Sequence, residues 1–468
     1  MQKDPTSPNW RQSLHKQWHA PCSYAEVLKI AGPMIVTTGA ISLQHFCDRT
    51  FLNWHSAVSV GASMTSGMLF FTIVCFFMGT VRYVSVFVAQ YIGSEKPDQI
   101  GPMIWQSLYV SIVGGILVLC LIPFSETIFS WVGHDPKVME EEVVYFRILC
   151  WSGLPILIGS ALDSFFTGRG QTRTVMIICL ISNGTNVILD YLMIFGKGPF
   201  PAMGIAGAAW ATVLANVVMC TLFMAILFRR KYEASFHILS GWRFDWKRCR
   251  QLCKYGIPGG FHFFIDIVGF TSFILLVGHL GADALNASTI AFNINTLAFM
   301  PMIGTGIAVS ILVGQMIGAG KPELAVKATS TGLHLTLLYM GIIALSYVVI
   351  PNLYLAPFAA KADPEEFSRL APIAVILLRF VGVYCLVDGF YLIYSSAIKG
   401  AGDTRFVMVM QGIMSALFLV FPVWYAIKVR SCGIYTVWFI MTIYMFLLAF
   451  VFYLRYKQGK WKTMSVTH

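Results

Sequence analysis

Apolar residues in this chain are grouped into long continuous stretches separated by short polar intervals. A helix needs about 20 mostly apolar residues to cross the hydrocarbon core of a bilayer. Twelve stretches reach that length, so we predict an all-α membrane protein with twelve transmembrane helices. The predicted spans are 27–52, 58–83, 102–123, 143–168, 174–196, 204–228, 256–280, 285–317, 329–350, 371–398, 405–428 and 433–454.

The second half of the chain repeats the first at an offset of 225 residues. Pro33 corresponds to Pro258, and the segment SVFVAQYIGSEKP at 85–97 corresponds to SILVGQMIGAGKP at 310–322. Six spans is an even number, so the two halves have the same orientation and a pseudo-two-fold axis along the membrane normal. Transporters use such repeats to rock one half against the other around a central site, whereas channels and membrane enzymes have less need of them.

The loops carry an uneven distribution of charge that predicts the topology. Lys and Arg accumulate in the tails and in alternate loops, which the positive-inside rule assigns to the cytoplasm. We expect a cytoplasmic N-terminal tail (1–25), a six-helix bundle (26–228), a basic cytoplasmic linker (229–254), a second bundle (255–454) and a cytoplasmic C-terminal tail (455–468). The predicted location is the inner (plasma) membrane, with many passes.

Composition supports a bilayer as the solvent and explains the net charge. Only 12% of residues are charged and 57% are hydrophobic, whereas a soluble domain carries about 25% charged residues. The net charge of +11 belongs to this topology signal, and we expect no nucleic-acid partner. The eleven cysteines follow no metal or disulfide spacing. We expect no cofactor and a monomer.

Acidic residues inside predicted spans are costly to bury and are therefore candidate functional residues. In the first half, Asp48 shares a helix face with Gln44 and His45, and Asn183, Asn186 and Asp190 form a polar stripe. Such a stripe cannot face lipid, where each unpaired polar group costs several kcal/mol. It must line a polar interior or pack on another helix.

The second half offers a further set of polar groups. Asp266 follows His262 by one turn, Asp388 follows Tyr384 by one turn, and Thr289, Asn293 and Thr296 form a stripe in the eighth span. Oxygen ligands and titratable groups of this kind suit Na⁺ or a proton, and spacing alone does not choose between them.

Three other charged residues have a simpler interpretation or none. Asp163 and Arg82 lie close to span ends and are expected to snorkel to the interface. Arg379 lies deeper in its span, on the helix face opposite Asp388, and has no assigned role. The excess of buried acids over buried bases favours cations as the transported species.

Several motifs resemble one family, the multidrug and toxic-compound extrusion (MATE) transporters, especially their NorM-like branch. They are AGPM at 31–34, VAQYIG at 88–93, NVILDYLMIFG at 186–196, GIAGAAWAT at 204–212 and LVGQMIGAGKPE at 312–323. The tenth span adds VYCLVDGF, which leads into KGAGDTR. The resemblance covers about residues 25–455.

The resemblance implies a V-shaped protein of two bundles that exports small organic cations in exchange for H⁺ or Na⁺ and is not an enzyme. It also implies site residues in each half. In the first half, Asp48, Asn186, Asp190 and Thr212 match the family's substrate and proton site. In the second half, Asp266, Asn293, Phe299, Tyr384 and Asp388 match its cation site, with Na⁺ at Asp266 and Asp388 as one candidate. Position 266 is usually Glu in that branch, so Asp266 is one methylene shorter.

Two alternatives stay open. The wider superfamily includes flippases and exporters of lipid-linked or polysaccharide precursors, whose anionic headgroups favour a basic cavity. A membrane enzyme or sensor is a different class, and the sequence has no nucleotide loop, metal-ligand cluster or nucleophile motif that would indicate one.

Overall fold

A computed structural model describes Trp18, residues 20–359 and residues 364–467. Within these residues the chain is helical and has no strand. In the described part of the chain, twelve helices are long and apolar enough to cross a membrane, which confirms the predicted number. Most of the predicted N-terminal tail lies outside the described residues.

The helices of the first half agree closely with the predicted spans. They are α1 (Tyr24–His55), α2 (Ala57–Arg82 and Val84–Gly93), α3 (Ile100–Leu119), α4 (Pro136–Cys150 and Gly153–Gly168), α5 (Thr172–Phe195) and α6 (Ile205–Leu227).

Six further helices form the second bundle. They are α7 (Trp246–Gly278), α8 (Ala282–Gly318), α9 (Pro322–Val349), α10 (Pro364–Ala401), α11 (Thr404–Lys428) and α12 (Ile434–Lys457). Helix α11 contains a π-helical segment at Ser415–Val420.

The linker between the bundles is shorter than predicted, because α7 begins at Trp246 inside the expected 229–254 segment. The side chain of Asp245 caps this helix by accepting from the backbone N–H groups of Lys247 and Arg248. The rest of the linker forms short helical turns. There Glu233 accepts from the backbone N–H of Leu239 and Ser240. Hydrogen bonding to the Ser240 side chain first, and to these backbone groups next, holds the pKa of Glu233 below the ordinary value.

The outer surface of the bundles suits lipid. On α9, Leu338, Ile342, Leu345 and Val349 recur every three or four residues and are each more than 60% exposed. An apolar stripe of this size on one helix face would be unfavourable in water and is expected in contact with acyl chains.

The two halves pack through helix crossings that have small residues at their centres. A Cβ on Gly79 of α2 would lie 2.9 Å from the Cα of Gly260 on α7. The repeat-related residue Gly304 of α8 similarly faces α1, where its Cβ would lie 3.0 Å from the backbone nitrogen of Ile35. Small residues allow backbones in a membrane to approach closely. The crossings α2–α7 and α1–α8 are therefore equivalent under the pseudo-two-fold axis.

A second symmetric contact lies at the end of the bundles that carries Lys96 and Lys321. Gln90 on α2 donates to the carbonyl oxygen of Gly400 at the end of α10 (3.1 Å). Its repeat counterpart Gln315 on α8 donates to the carbonyl oxygen of Gly168 at the end of α4 (3.0 Å). Each glutamine thus fixes its own helix to the opposite half.

The C-terminal tail adds to this contact on one side only. The carbonyl oxygen of the Gln90 side chain accepts from the backbone N–H of Val466 (2.9 Å) and from the hydroxyl of Ser465 (3.1 Å). Trp461 and Val466 are fully buried, and Gln251 donates to the carbonyl oxygen of Val466. The tail therefore contacts both halves, through Gln90 of the first and Gln251 of the second.

We expect Gln90→Ala to destabilise the protein more than Gln315→Ala. Gln90→Ala removes partners on α10 and in the tail and leaves their buried backbone groups unsatisfied, at about 1–3 kcal/mol for each such group. Gln315→Ala removes one such bond. The measurement is thermal unfolding of both purified variants in one detergent, followed by circular dichroism. Equal losses of stability would contradict the role of the tail.

Candidate functional site

The first half brings two carboxylates together around one amide. Asp48 on α1 and Asp190 on α5 are linked by Asn186, which lies one turn before Asp190. With its nitrogen facing the acids, the Asn186 amide donates to Asp48 (3.0 Å) and to Asp190 (3.2 Å). Asn186 and Asp190 are fully buried. The predicted stripe therefore does pack on another helix, and that helix carries the other predicted acid.

Contacts at both ends of the helices hold this arrangement. The hydroxyl of Thr172 at the start of α5 donates to the carbonyl oxygen of Ile30 on α1 (3.0 Å). At the other end, Phe51 of α1 packs edge-on against Phe195 of α5, with the ring centroids 6.3 Å apart. Because α1 and α5 are in contact on both sides of the two acids, the carboxylates of Asp48 and Asp190 face each other.

Of the other predicted residues of the first half, Thr212 and His45 lie beside this pair and Asn183 does not. The carbonyl oxygen of Asn186 accepts from the backbone N–H of Thr212 on α6 (3.3 Å). His45 lies 3.9 Å from Asp48 and has an exposed side chain. Asn183 is outside the network, and its buried amide nitrogen has no partner among the described residues.

In the second half, Asp266 is the centre of a network that involves four helices. The amide nitrogen of Gln411 on α11 donates to Asp266 and to the hydroxyl of Tyr444 on α12 (3.1 Å for the latter). The hydroxyl of Tyr391 on α10 donates to the carbonyl oxygen of Gln411 (3.2 Å). His262 lies 3.1 Å from that hydroxyl and 3.6 Å from Asp266.

The close approach of α7 and α11 explains how Gln411 reaches Asp266. Gly269 follows Asp266 by about one turn, and a Cβ there would overlap the hydroxyl of Ser415. Ser415 is the first residue of the π-helical segment. Such segments interrupt α-helices frequently at functional sites. With no side chain between them, the two helices pack closely enough for the Gln411 amide to contact the carboxylate.

Asp388 and Tyr384 belong to the same region of the second half. Asp388 is buried and lies within electrostatic range of Asp266. The hydroxyl of Tyr384 accepts from the amide of Asn295 on α8 (3.5 Å). Asn293 is exposed and lies on nearly the opposite face of α8 from Asn295, so the structure does not bring this predicted residue to the site.

The other predicted features of α8 also lie away from Asp266. Thr289 and Thr296 are exposed and their hydroxyls donate to backbone carbonyls of their own helix. Phe299 packs against an apolar cluster that contains Met340 and Cys385. Among the described residues, none of these predicted α8 side chains contacts the Asp266 network.

The prediction that Asp163 snorkels to the interface is wrong, because its side chain is buried and paired with Arg82. Arg82 donates to Asp163 at 2.8 Å, and the hydroxyl of Thr167 donates to the same carboxylate. With Asp163 buried, the positive charge of Arg82 offsets part of the desolvation cost of the carboxylate. Arg379 is exposed.

Gln411, Tyr391, Tyr444 and Asn295 were not predicted from the sequence. Gln411 offered a signal, since it is a strongly polar amide inside an apolar stretch, where an unpaired polar group is costly. The tyrosines offered none, because the chain has 19 of them. The side chains that contact the Asp266 carboxylate are the amide N–H of Gln411 and the imidazole of His262. No cluster of three or more His, Cys, Asp or Glu residues suited to a metal ion is present in the described part of the chain.

The chain has two helical repeats of the same orientation, and each bundle contains a polar site. This architecture is typical of membrane transporters. The MatE family model matches residues 33–192 and again residues 258–426, so the two matches start at the repeat-related prolines. The chain belongs to the MatE family.

Curated relatives and solved structures agree with this assignment. A probable multidrug resistance protein NorM from Mesorhizobium japonicum is 26% identical over 86% of this chain and 85% of its own length. One from Thermotoga maritima is 25% identical over 97% and 98%. A transporter of the MOP superfamily from Pyrococcus furiosus has the same fold, with a TM-score of 0.86, 18% identity and coverage of 96% of this chain and 98% of that one. An outward-facing MATE family transporter also has a TM-score of 0.86, at 17% identity, with coverage of 95% and 97%.

Asn186 and Asn183 offer a matched pair of substitutions on one helix. Asn186→Ala removes the donor shared by the buried Asp190 and the half-buried Asp48, and we expect a loss of about 1–3 kcal/mol in the free energy of unfolding. Asn183→Ala removes an amide that has no partner for its nitrogen, so it should be neutral or stabilising. Thermal unfolding in detergent, followed by circular dichroism, measures both. A larger loss for Asn183→Ala would contradict the assigned network.

Proposed function

We propose that the protein is a secondary active antiporter of the inner membrane that exports organic cations, including drugs, in exchange for H⁺ or Na⁺. The Asp48–Asn186–Asp190 arrangement is the observation that carries the proposal. Two carboxylates that share one amide repel each other unless a proton or a cation lies between them. The same site therefore favours either species and disfavours an empty, doubly charged state.

Competition for one site is sufficient to couple two fluxes. An organic cation that enters from the cytoplasm neutralises the carboxylates, and a proton that arrives from outside replaces it. Alternating access follows when the halves rock about the α1–α8 and α2–α7 crossings. The relatives' names, multidrug resistance protein, support drugs as the substrate class.

The Asp266 network supplies a second site for the coupling ion. The Asp266 carboxylate and the hydroxyls of Tyr391 and Tyr444 are hard oxygen donors, which suit Na⁺ as well as a proton, and Gln411 links all three by hydrogen bonds. Lys399 lies within electrostatic range of Asp266 and balances part of its charge when no ion is bound. A lipid-linked anion would find acidic groups in both halves, so the flippase alternative is disfavoured.

Charge-neutral substitutions test both sites. We expect Asp48→Asn, Asp266→Asn and Asp388→Asn each to abolish gradient-driven export, because each removes a carboxylate that holds a proton or cation. The measurement is ethidium efflux from proteoliposomes under an imposed H⁺ gradient and, separately, an imposed Na⁺ gradient. Glu323→Gln, at an exposed position in the first turn of α9, is the matched control.

The outcomes separate the two sites. Full efflux by Asp48→Asn with normal pH dependence would overturn the first site. Full efflux by both Asp266→Asn and Asp388→Asn would remove the second site from the mechanism. A response of the native protein to only one gradient identifies the coupling ion.

The orientation is tested independently. We propose that the central linker faces the cytoplasm, because its Lys and Arg residues dominate the loop charge. In a cysteine-free background, Ser240→Cys should be protected from an impermeant thiol reagent in intact cells and labelled in inverted vesicles. Labelling in intact cells would reverse the topology.

A further inference from the structure

A cavity of about 970 Å³ lies where the second bundle begins. Its walls come from both halves of the chain. Tyr91 at the end of α2 and Gln99 belong to the first half, whereas the first turns of α7, Arg405 at the start of α11 and Thr467 of the tail belong to the second.

The cavity is strongly basic. Five Lys or Arg residues line it and only one acid, Asp245, does so. That carboxylate is already engaged, since it caps α7 and lies 3.5 Å from Arg248. The acid nearest in sequence to Arg405 is Asp403, which is paired with Arg455 at 2.6 Å. Among the described residues, Lys247, Arg250, Lys254 and Arg405 have no ion-pair partner.

The positive-inside rule explains why the linker contains basic residues, but it does not explain why several of them line one cavity. Arg229, Arg230 and Lys231 belong to the same linker and do not line the cavity. Lys247, Arg250 and Lys254 are spaced three and four residues apart, so they share one face of α7 and point to the same space.

Exposed aromatic residues place the cavity at the depth of lipid headgroups. Trp242, Phe244 and Trp246 directly precede or begin α7 and are 58%, 55% and 70% exposed. Large aromatic side chains are enriched at the interface between the hydrocarbon core and water. Their position beside the cavity favours a lipid headgroup over a solute from bulk water.

We propose that this cavity binds the phosphate-bearing headgroup of an anionic phospholipid. Lys and Arg side chains supply charge-assisted hydrogen bonds to the phosphate oxygens. The backbone N–H groups at the start of α7 do not take part, because they already donate to the carboxylate of Asp245. A headgroup in contact with Gln99 and Arg405 at once links the two halves, and it stabilises the arrangement in which both walls are close together.

The test compares two triple variants with equal loss of charge in the full-length protein. Lys247→Gln/Arg250→Gln/Lys254→Gln changes the cavity, and Arg229→Gln/Arg230→Gln/Lys231→Gln is the control. Native mass spectrometry with phosphatidylglycerol and phosphatidylcholine measures retained lipid, and the thermal transition measures stabilisation. We expect the cavity variant to lose phosphatidylglycerol affinity about tenfold or more, since each interfacial basic residue contributes about fivefold. The control should retain it.

Further measurements identify the source of the phosphate and control for misfolding of the variants. Glycerol phosphate and inorganic phosphate, added without lipid, should leave the native transition unchanged, and stabilisation by either would overturn the lipid assignment. The charge-preserving variant Lys247→Arg/Lys254→Arg should bind phosphatidylglycerol as the native protein does. Equal loss in both triple variants, or no preference of the native protein for phosphatidylglycerol over phosphatidylcholine, would overturn the proposal.

Discussion

The close backbone approach of α2 and α8 beside the pseudo-two-fold axis is the contact on which the rest of the structure depends. A Cβ on Gly93 would overlap the carbonyl of Gln315, and a Cβ on Gly318 would overlap the carbonyl of Gln90. Glycine at both positions lets the two helices meet without side chains between them. Only then can each glutamine side chain reach the end of a helix in the opposite half.

The symmetry of this scaffold does not extend to the chemistry. At the repeat offset, Asp48 corresponds to Phe273 and Asp266 corresponds to Ile41. Each half therefore has its own carboxylate site on a helix that is apolar at the matching position in the other half. A common backbone arrangement fixes where helices meet, while the residues that meet there have diverged into two different sites.

The sequence was sufficient for features that depend on one helix or on the repeat. The twelve spans follow from apolar length, and the shared face of Asn186 and Asp190 follows from helical periodicity. Contacts between helices that are distant in the sequence could not be predicted in this way. The pairing of Asp163 with Arg82 joins residues 81 positions apart, and a charged group near a span end satisfies snorkelling equally well.

The site of the second half also depends on a contact between distant helices, which the sequence does not reveal. Gln411 reaches Asp266 across 145 positions, and nothing in the periodicity of α11 selects α7 as its neighbour. Asn293 was predicted for this site, whereas the structure brings Asn295 to Tyr384, and this difference has another cause. Both are polar residues on α8, and two residues of separation turns the helix by about 200°, so only the packing of α8 against α10 decides which one faces Tyr384.

The tail makes the contact between the halves asymmetric, and this has a consequence for how the halves separate. Gln315 holds one carbonyl, whereas Gln90 holds a helix end and the tail together. If the halves are to move apart at this end, the Gln315 bond can break alone, but the Gln90 contacts must break as a group or the tail must move with the first bundle. Because Val466 is fully buried, its release also exposes apolar surface. The tail therefore adds a free-energy cost to opening this end of the protein, and that cost is independent of the two carboxylate networks, neither of which contains a contact between the halves.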